Sequence, residues 1–110
     1  EGGLITRNIS LSAGTWQITL QTHAYIDDGV TYDTTCTQVG TIQGVDVTTS
    51  IRFLKSGGSG YGRRNHGSDL AVGTLVLANP VTDITMTIND PSSGSYVVTG
   101  SRLTIERTGA

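Results

Sequence analysis

The chain is poor in everything that builds helices. It contains one lysine, Lys55, and two glutamates, Glu1 and Glu106; alanine and leucine are also sparse, so the residues that lose least on entering a helix are too few for a helical bundle. A lone cysteine, Cys36, excludes an internal disulfide frame. It sits in Thr34-Thr35-Cys36-Thr37 and reads as a small half-buried strand residue, since no cation or histidine adjoins it to make a reactive thiolate. A net charge of -2 leaves no broad cationic footprint for nucleic acid. No apolar run approaches the roughly 18 residues of a membrane-spanning helix, and no signal-peptide pattern is present.

In their place stand 18 threonines and 15 glycines. Threonine is β-branched and suits a pleated, half-wet surface, while glycine serves turns and bulges. The class expected is all-β. At 110 residues the chain suffices for one core, so a single domain over 1–110 is expected. The opening Glu1-Gly2-Gly3 reads as a linker, and the missing initial methionine suggests a piece of a longer protein.

Alternation places the strands. Residues 4–11 put Ile5, Ile9 and Leu11 on one face. After Leu11-Ser12-Ala13-Gly14, Trp16, Ile18 and Leu20, continuing through Thr22, Ala24 and Ile26, alternate against Gln17, Thr19, Gln21 and His23 over 15–26. Asp27-Asp28-Gly29 is a turn signal. Residues 30–39 read as a more polar strand, edge-like or facing a partner, followed by a turn with a short strand piece over Gly40 to Gly44. Val45, Val47, Thr49, Ile51 and Phe53 then alternate against Asp46, Thr48, Ser50 and Arg52. Further strands are expected at 70–77, 81–88, 96–99 and 103–105, with turns at Asn79-Pro80 and Asn89-Asp90-Pro91-Ser92-Ser93-Gly94. About eight antiparallel strands result, a spacing that favours a β-sandwich. Ile18, Leu20, Ile51, Phe53, Ile84, Met86, Leu103 and Ile105 are the expected core, and Trp16 shares their register.

Residues 56–69, Ser-Gly-Gly-Ser-Gly-Tyr-Gly-Arg-Arg-Asn-His-Gly-Ser-Asp, break the alternation and read as an exposed loop. No lysine and hydroxyl at P-loop spacing follow, so a phosphate cradle is not the reading. Glycine freedom instead brings Tyr61, Arg63, Arg64, Asn65 and His66 to a tip. Arginine forks grip carboxylate or phosphate, and a tyrosine ring offers a stacking face, so these five are the candidate ligand-binding residues for an anionic or sugar ligand. His23 and His66 have no acid and nucleophile at recognisable spacing, and with one cysteine they make no zinc motif. Asp27, Asp28 and Asp33 could converge at one loop end, but EF-hand spacing is absent. No catalytic residue, metal or cofactor is implied, and the chain is read as a non-enzyme.

Ser12-Ala13-Gly14-Thr15-Trp16-Gln17-Ile18 resembles the opening of C1q/TNF-like jelly rolls, a glycine and an aromatic leading into an alternating strand. Gly100-Ser101-Arg102-Leu103-Thr104-Ile105-Glu106-Arg107-Thr108-Gly109 looks like their final strand. Small threonine-rich versions are similar to the C-terminal heads of bacteriophage tail fibres and tailspikes. The resemblance covers nearly the whole chain through short motifs, and the richer aromatic set of animal C1q domains is missing. It implies a homotrimer on a virion, acting outside the cell, that folds the fibre end, attaches to a host polysaccharide or lipopolysaccharide, or does both. The alternatives are a monomeric carbohydrate-binding module of an enzyme and a virion decoration protein. Solution mass separates the trimeric head from the monomeric module.

Overall fold

A computed structural model describes residues 4–27, 32–55, 64–89 and 96–110. They form seven strands: β1 (Leu4–Leu11), β2 (Gly14–Asp27), β3 (Tyr32–Ile42), β4 (Val45–Lys55), β5 (Arg64–Leu77), β6 (Val81–Asn89) and β7 (Val97–Gly109). The larger sheet runs β1-β6-β3-β4 and the smaller one β5-β2-β7, every pairing antiparallel. The two sheets face each other as a sandwich, so the all-β expectation holds. Full-length pairings are nested: β1 with β6, β2 with β5, β3 with β4.

Three local expectations are corrected. The segments at 96–99 and 103–105 run on as one strand, bent where the register slips opposite His23 and Ala24. The polar strand read as edge-like or facing a partner, β3, is not an edge strand: it lies between β4 and β6, although only Gly40, Thr41 and Ile42 pair with β6. The strand piece within 40–44 is the end of β3 itself, which reaches Ile42, so Gln43 and Gly44 reverse the chain with φ of 48° and 80°. Positive φ at both positions is what a two-residue hairpin turn requires to match strand twist.

The fourth correction bears on function. Arg64 to Asp69, expected in the loop, belong to β5 and continue its ladder against Asp27 to Thr22. Backbone pairing needs no apolar side chain, and Gly67 serves the packing directly. A Cβ there would lie 2.5 Å from Ile51 Cγ2, so glycine lets β5 settle onto β4. This side of the sandwich is closed: β4 packs against β5, and Asp69 Oδ2 accepts a 2.8 Å hydrogen bond from the Ser50 amide at the β4 edge.

The interior is divided along its length. One apolar cluster contains Leu11, Ile18, Leu20, Ile42, Val47, Leu75, Leu77 and Ile88, with Ile84, Met86, Leu103, Ile105 and Trp16 packed around it. A smaller one contains Ala24, Ile26, Cys36, Ile51 and Phe53. Cys36 is therefore fully rather than half buried. Between the clusters lie Thr22, Gln38 and Thr49, all fully buried. Thr22 Oγ1 donates to Gln38 Oε1 at 2.6 Å. A hydroxyl has one proton, so Thr49 Oγ1, 2.6 Å away, must donate to Thr22. Gln38 Nε2 donates to the Asn89 carbonyl at 2.8 Å, and Asn89 Oδ1 accepts from the Val39 amide at 2.7 Å, where β6 leaves β3. The polar layer is thus satisfied internally, which removes most of the cost of burying it.

Candidate functional site

The outer face of the smaller sheet carries the site. On β2 the residues between the core positions, Gln17, Thr19, Gln21, His23 and Tyr25, point away from the larger sheet, because side chains alternate along a strand. Register sets their neighbours. Gln21 lies between Leu70 and Arg102, His23 between Ser68 and Gly100, Tyr25 between His66 and Val97.

Two features stand out at the end of this face nearer His66. Tyr25 and His66 make a tilted ring pair, with centroids 5.8 Å apart and planes at 51°. Beside them is a shallow recess of about 240 Å³ lined by Gln21, His23, Gly100, Ser101 and Arg102. The recess arises from the bulge in β7: Val98 pairs with Ala24 and Gly100 with His23, leaving Thr99 unpaired in the ladder. Thr99 Oγ1 instead donates to the His23 carbonyl at 3.3 Å. At Gly100 the missing side chain leaves the space open, and a Cβ there would meet nothing within 4 Å.

Amide, imidazole, hydroxyl and guanidinium groups in one recess offer donors and acceptors for a polar ligand, and the guanidinium matches a carboxylate. Among the described residues no carboxylate pairs with Arg102. The ion pair they do show is Arg52 with Asp33, bidentate at 3.0 Å and 3.0 Å, on the outside of the larger sheet. The hydrogen bond and charge of Arg52 hold the Asp33 carboxyl below its ordinary range. Among the described residues no three acidic, imidazole or thiol groups converge as a metal site would need.

Of the five residues expected from sequence, Tyr61 and Arg63 lie outside the described residues. Arg64 opens β5 in register with Asp27, Asn65 pairs with Ile26, and His66 pairs with Tyr25. His66 and Asn65 are both exposed but on opposite faces of the strand, so the structure brings together His66 and Tyr25 and leaves Asn65 apart. Gln21, His23, Tyr25 and Arg102 were missed as a group. The polar alternation of β2 signalled Gln21 and His23 as a wet face; the approach of Tyr25 to His66 and of Arg102 to Gln21 follows from strand register. Comparison with protein-family models, with curated proteins and with solved structures gave no match.

Proposed function

We propose that this domain is the head of a viral fibre, of the tail-fibre or tailspike kind, a homotrimer in which the outer face of the smaller sheet mediates assembly. The observation carrying this reading is apolar exposure on β5. Leu70, Val72 and Val76 are 58%, 55% and 70% exposed on one face of one strand. An edge strand with a row of bare apolar side chains is a liability unless a partner covers it. Shape adds support: the radius of gyration is 16.7 Å, against about 13 Å for a compact chain of roughly 100 residues. So elongated a chain buries less surface on its own and gains more from association. The nested pairing of β1 with β6, β2 with β5 and β3 with β4 is the wrapping of a long folded hairpin and supports a jelly-roll topology. Trimeric display would multiply weak contacts with a host polysaccharide or lipopolysaccharide through avidity.

Light scattering on the purified chain tests this. A trimer mass is expected, falling to a monomer in Val72→Asp without loss of β-sheet circular dichroism. A monomer mass for the unaltered chain overturns the reading. The second reading, a monomeric carbohydrate-binding module, is favoured by the recess beside Tyr25 and His66. It requires glycan binding by a monomer, lost in Gly100→Leu, which fills the recess.

A further inference from the structure

The sandwich is closed on one side and open on the other. Across from the packed β4 and β5 edges, no comparable contact joins β7 to β1 or β6. The larger sheet has four strands and the smaller three, and among the described residues no strand of the smaller sheet is packed on β1. Among the described residues, nothing pairs with the edge of β7 that β2 does not use. The resulting groove has a volume of about 340 Å³, and its floor includes Met86, Ile88 and Leu103.

Arg7 makes this more than an unfinished edge. It lines the groove and shares its strand face with Met86, its partner in register, and hence with the interior-facing Ile88 two residues on. A guanidinium on the inward face of a strand is out of place unless something acidic meets it. Arg7 is exposed, and among the described residues no carboxylate bonds it or Arg102, which stands at the groove rim. Any segment covering this face buries the Arg7 charge and must neutralise it. A second copy contributing its own β7 would bring a strand that carries Arg102, Glu106 and Arg107, net positive, beside a groove that already holds unpaired arginines, which disfavours that occupant.

We propose that the free edge of β7 is a docking site for an extended segment of a partner protein, which adds as the fourth strand of the smaller sheet. The segment carries a carboxylate facing Arg7, with apolar residues two positions to either side facing Met86, Ile88 and Leu103. Backbone pairing supplies affinity, and the alternate side chains supply specificity. This inference does not depend on the trimer reading, which concerns the outer face of the same sheet.

The test uses the full chain and a blocked heptapeptide, Thr-Val-Thr-Glu-Thr-Val-Thr, against its twin with lysine in the central position. The protein is net negative, so general electrostatics favour the lysine peptide. Binding of the glutamate peptide at least tenfold more tightly is expected, with slowed amide exchange along residues 101–105. Arg7→Glu, at an exposed position, should reverse the preference while leaving the thermal midpoint unchanged. Equal binding of both peptides, binding of neither at millimolar concentration, or protection at β1, β4 or β5 instead would overturn the proposal. Concentration-dependent protection of 101–105 in the chain alone would also overturn it, since the occupant would then be a second copy.

Discussion

The two apolar clusters on either side of the Thr22–Gln38–Thr49 layer are different kinds of core. The larger draws on strands from both sheets and is ringed by partly buried Ile9, Trp16, Val45, Ile84, Met86, Leu103 and Ile105. It sits at the end closed by the tight Gln43-Gly44 turn. The smaller contains Phe53 and Ile51 packed with Ala24, Ile26 and Cys36, and among the described residues Tyr96 and Val98 add to it from outside. The Tyr25–His66 pair and the bulge that makes the recess are at the end of the smaller cluster. A candidate site set beside the smaller cluster, across the polar layer from the larger one, can change its ligand contacts without unfolding the rest.

The sharpest way to break this comparison is Phe53→Ala. Phe53 is buried, so its loss should cost about 3–5 kcal/mol. Urea denaturation checks this, and a loss below about 1 kcal/mol would show that the smaller cluster is not a core of its own. Leu20→Ala in the larger cluster should cost about 2–5 kcal/mol. Amide exchange separates the pair: Phe53→Ala should loosen residues 24–26 and 51–53 first, whereas Leu20→Ala should lower protection throughout.

The polar layer offers a second test, because it decides whether the clusters unfold apart. Gln38→Leu strands the Asn89 carbonyl and the Thr22 hydroxyl, and should cost about 1–3 kcal/mol. Adding Thr22→Val and Thr49→Val removes the two buried hydroxyls, leaving only the Asn89 carbonyl of this layer without Gln38, and should return part of that loss. If the triple variant is as unstable as the sum of its parts, the layer is not one coupled unit.

These differences were unequally legible in the sequence. Alternation in β2 and β4 placed Ile18, Leu20, Ile51 and Phe53 inward correctly, since a period of two needs no knowledge of partners. It also put Thr49 on the apolar face of β4. Burial of Gln38 could not be read that way, because its partners Thr22 and Asn89 are 16 and 51 residues distant. The glycine-rich stretch misled for a related reason: Gly67 looks like loop punctuation until Ile51 is known to lie beneath it. His66 was found as a candidate, but its neighbour Tyr25 and the recess at Arg102 depend on strand register and a bulge, which emerge only from pairing.

Gly67→Ala therefore probes the boundary between loop and strand. A methyl 2.5 Å from Ile51 Cγ2 forces β5 off β4, with a cost of about 1–3 kcal/mol. A residue in a true loop would gain a few tenths of a kcal/mol from the same change. A stabilised Gly67→Ala variant, measured by denaturant midpoint, would return 64–69 to the loop.

The smallest expected effect lies on the outside of the larger sheet, where Asp33 and Arg52 meet. Both side chains are more than half exposed, 57% and 63%, so solvent screens the pair and its removal should barely move stability. The carboxyl still reports the contact, because the Arg52 hydrogen bond and charge lower its folded pKa. A depressed folded value adds stability above the unfolded pKa, and that contribution is lost as pH falls through the folded one. Arg52→Gln removes the charge, so the Asp33 titration midpoint, followed by carboxyl NMR, should move up toward the ordinary aspartate range. The thermal midpoint at neutral pH should stay where it was. An Asp33 midpoint that ignores Arg52→Gln would mean the bidentate pair does not persist in solution. The outer face of the larger sheet would then carry no fixed pair between these two residues.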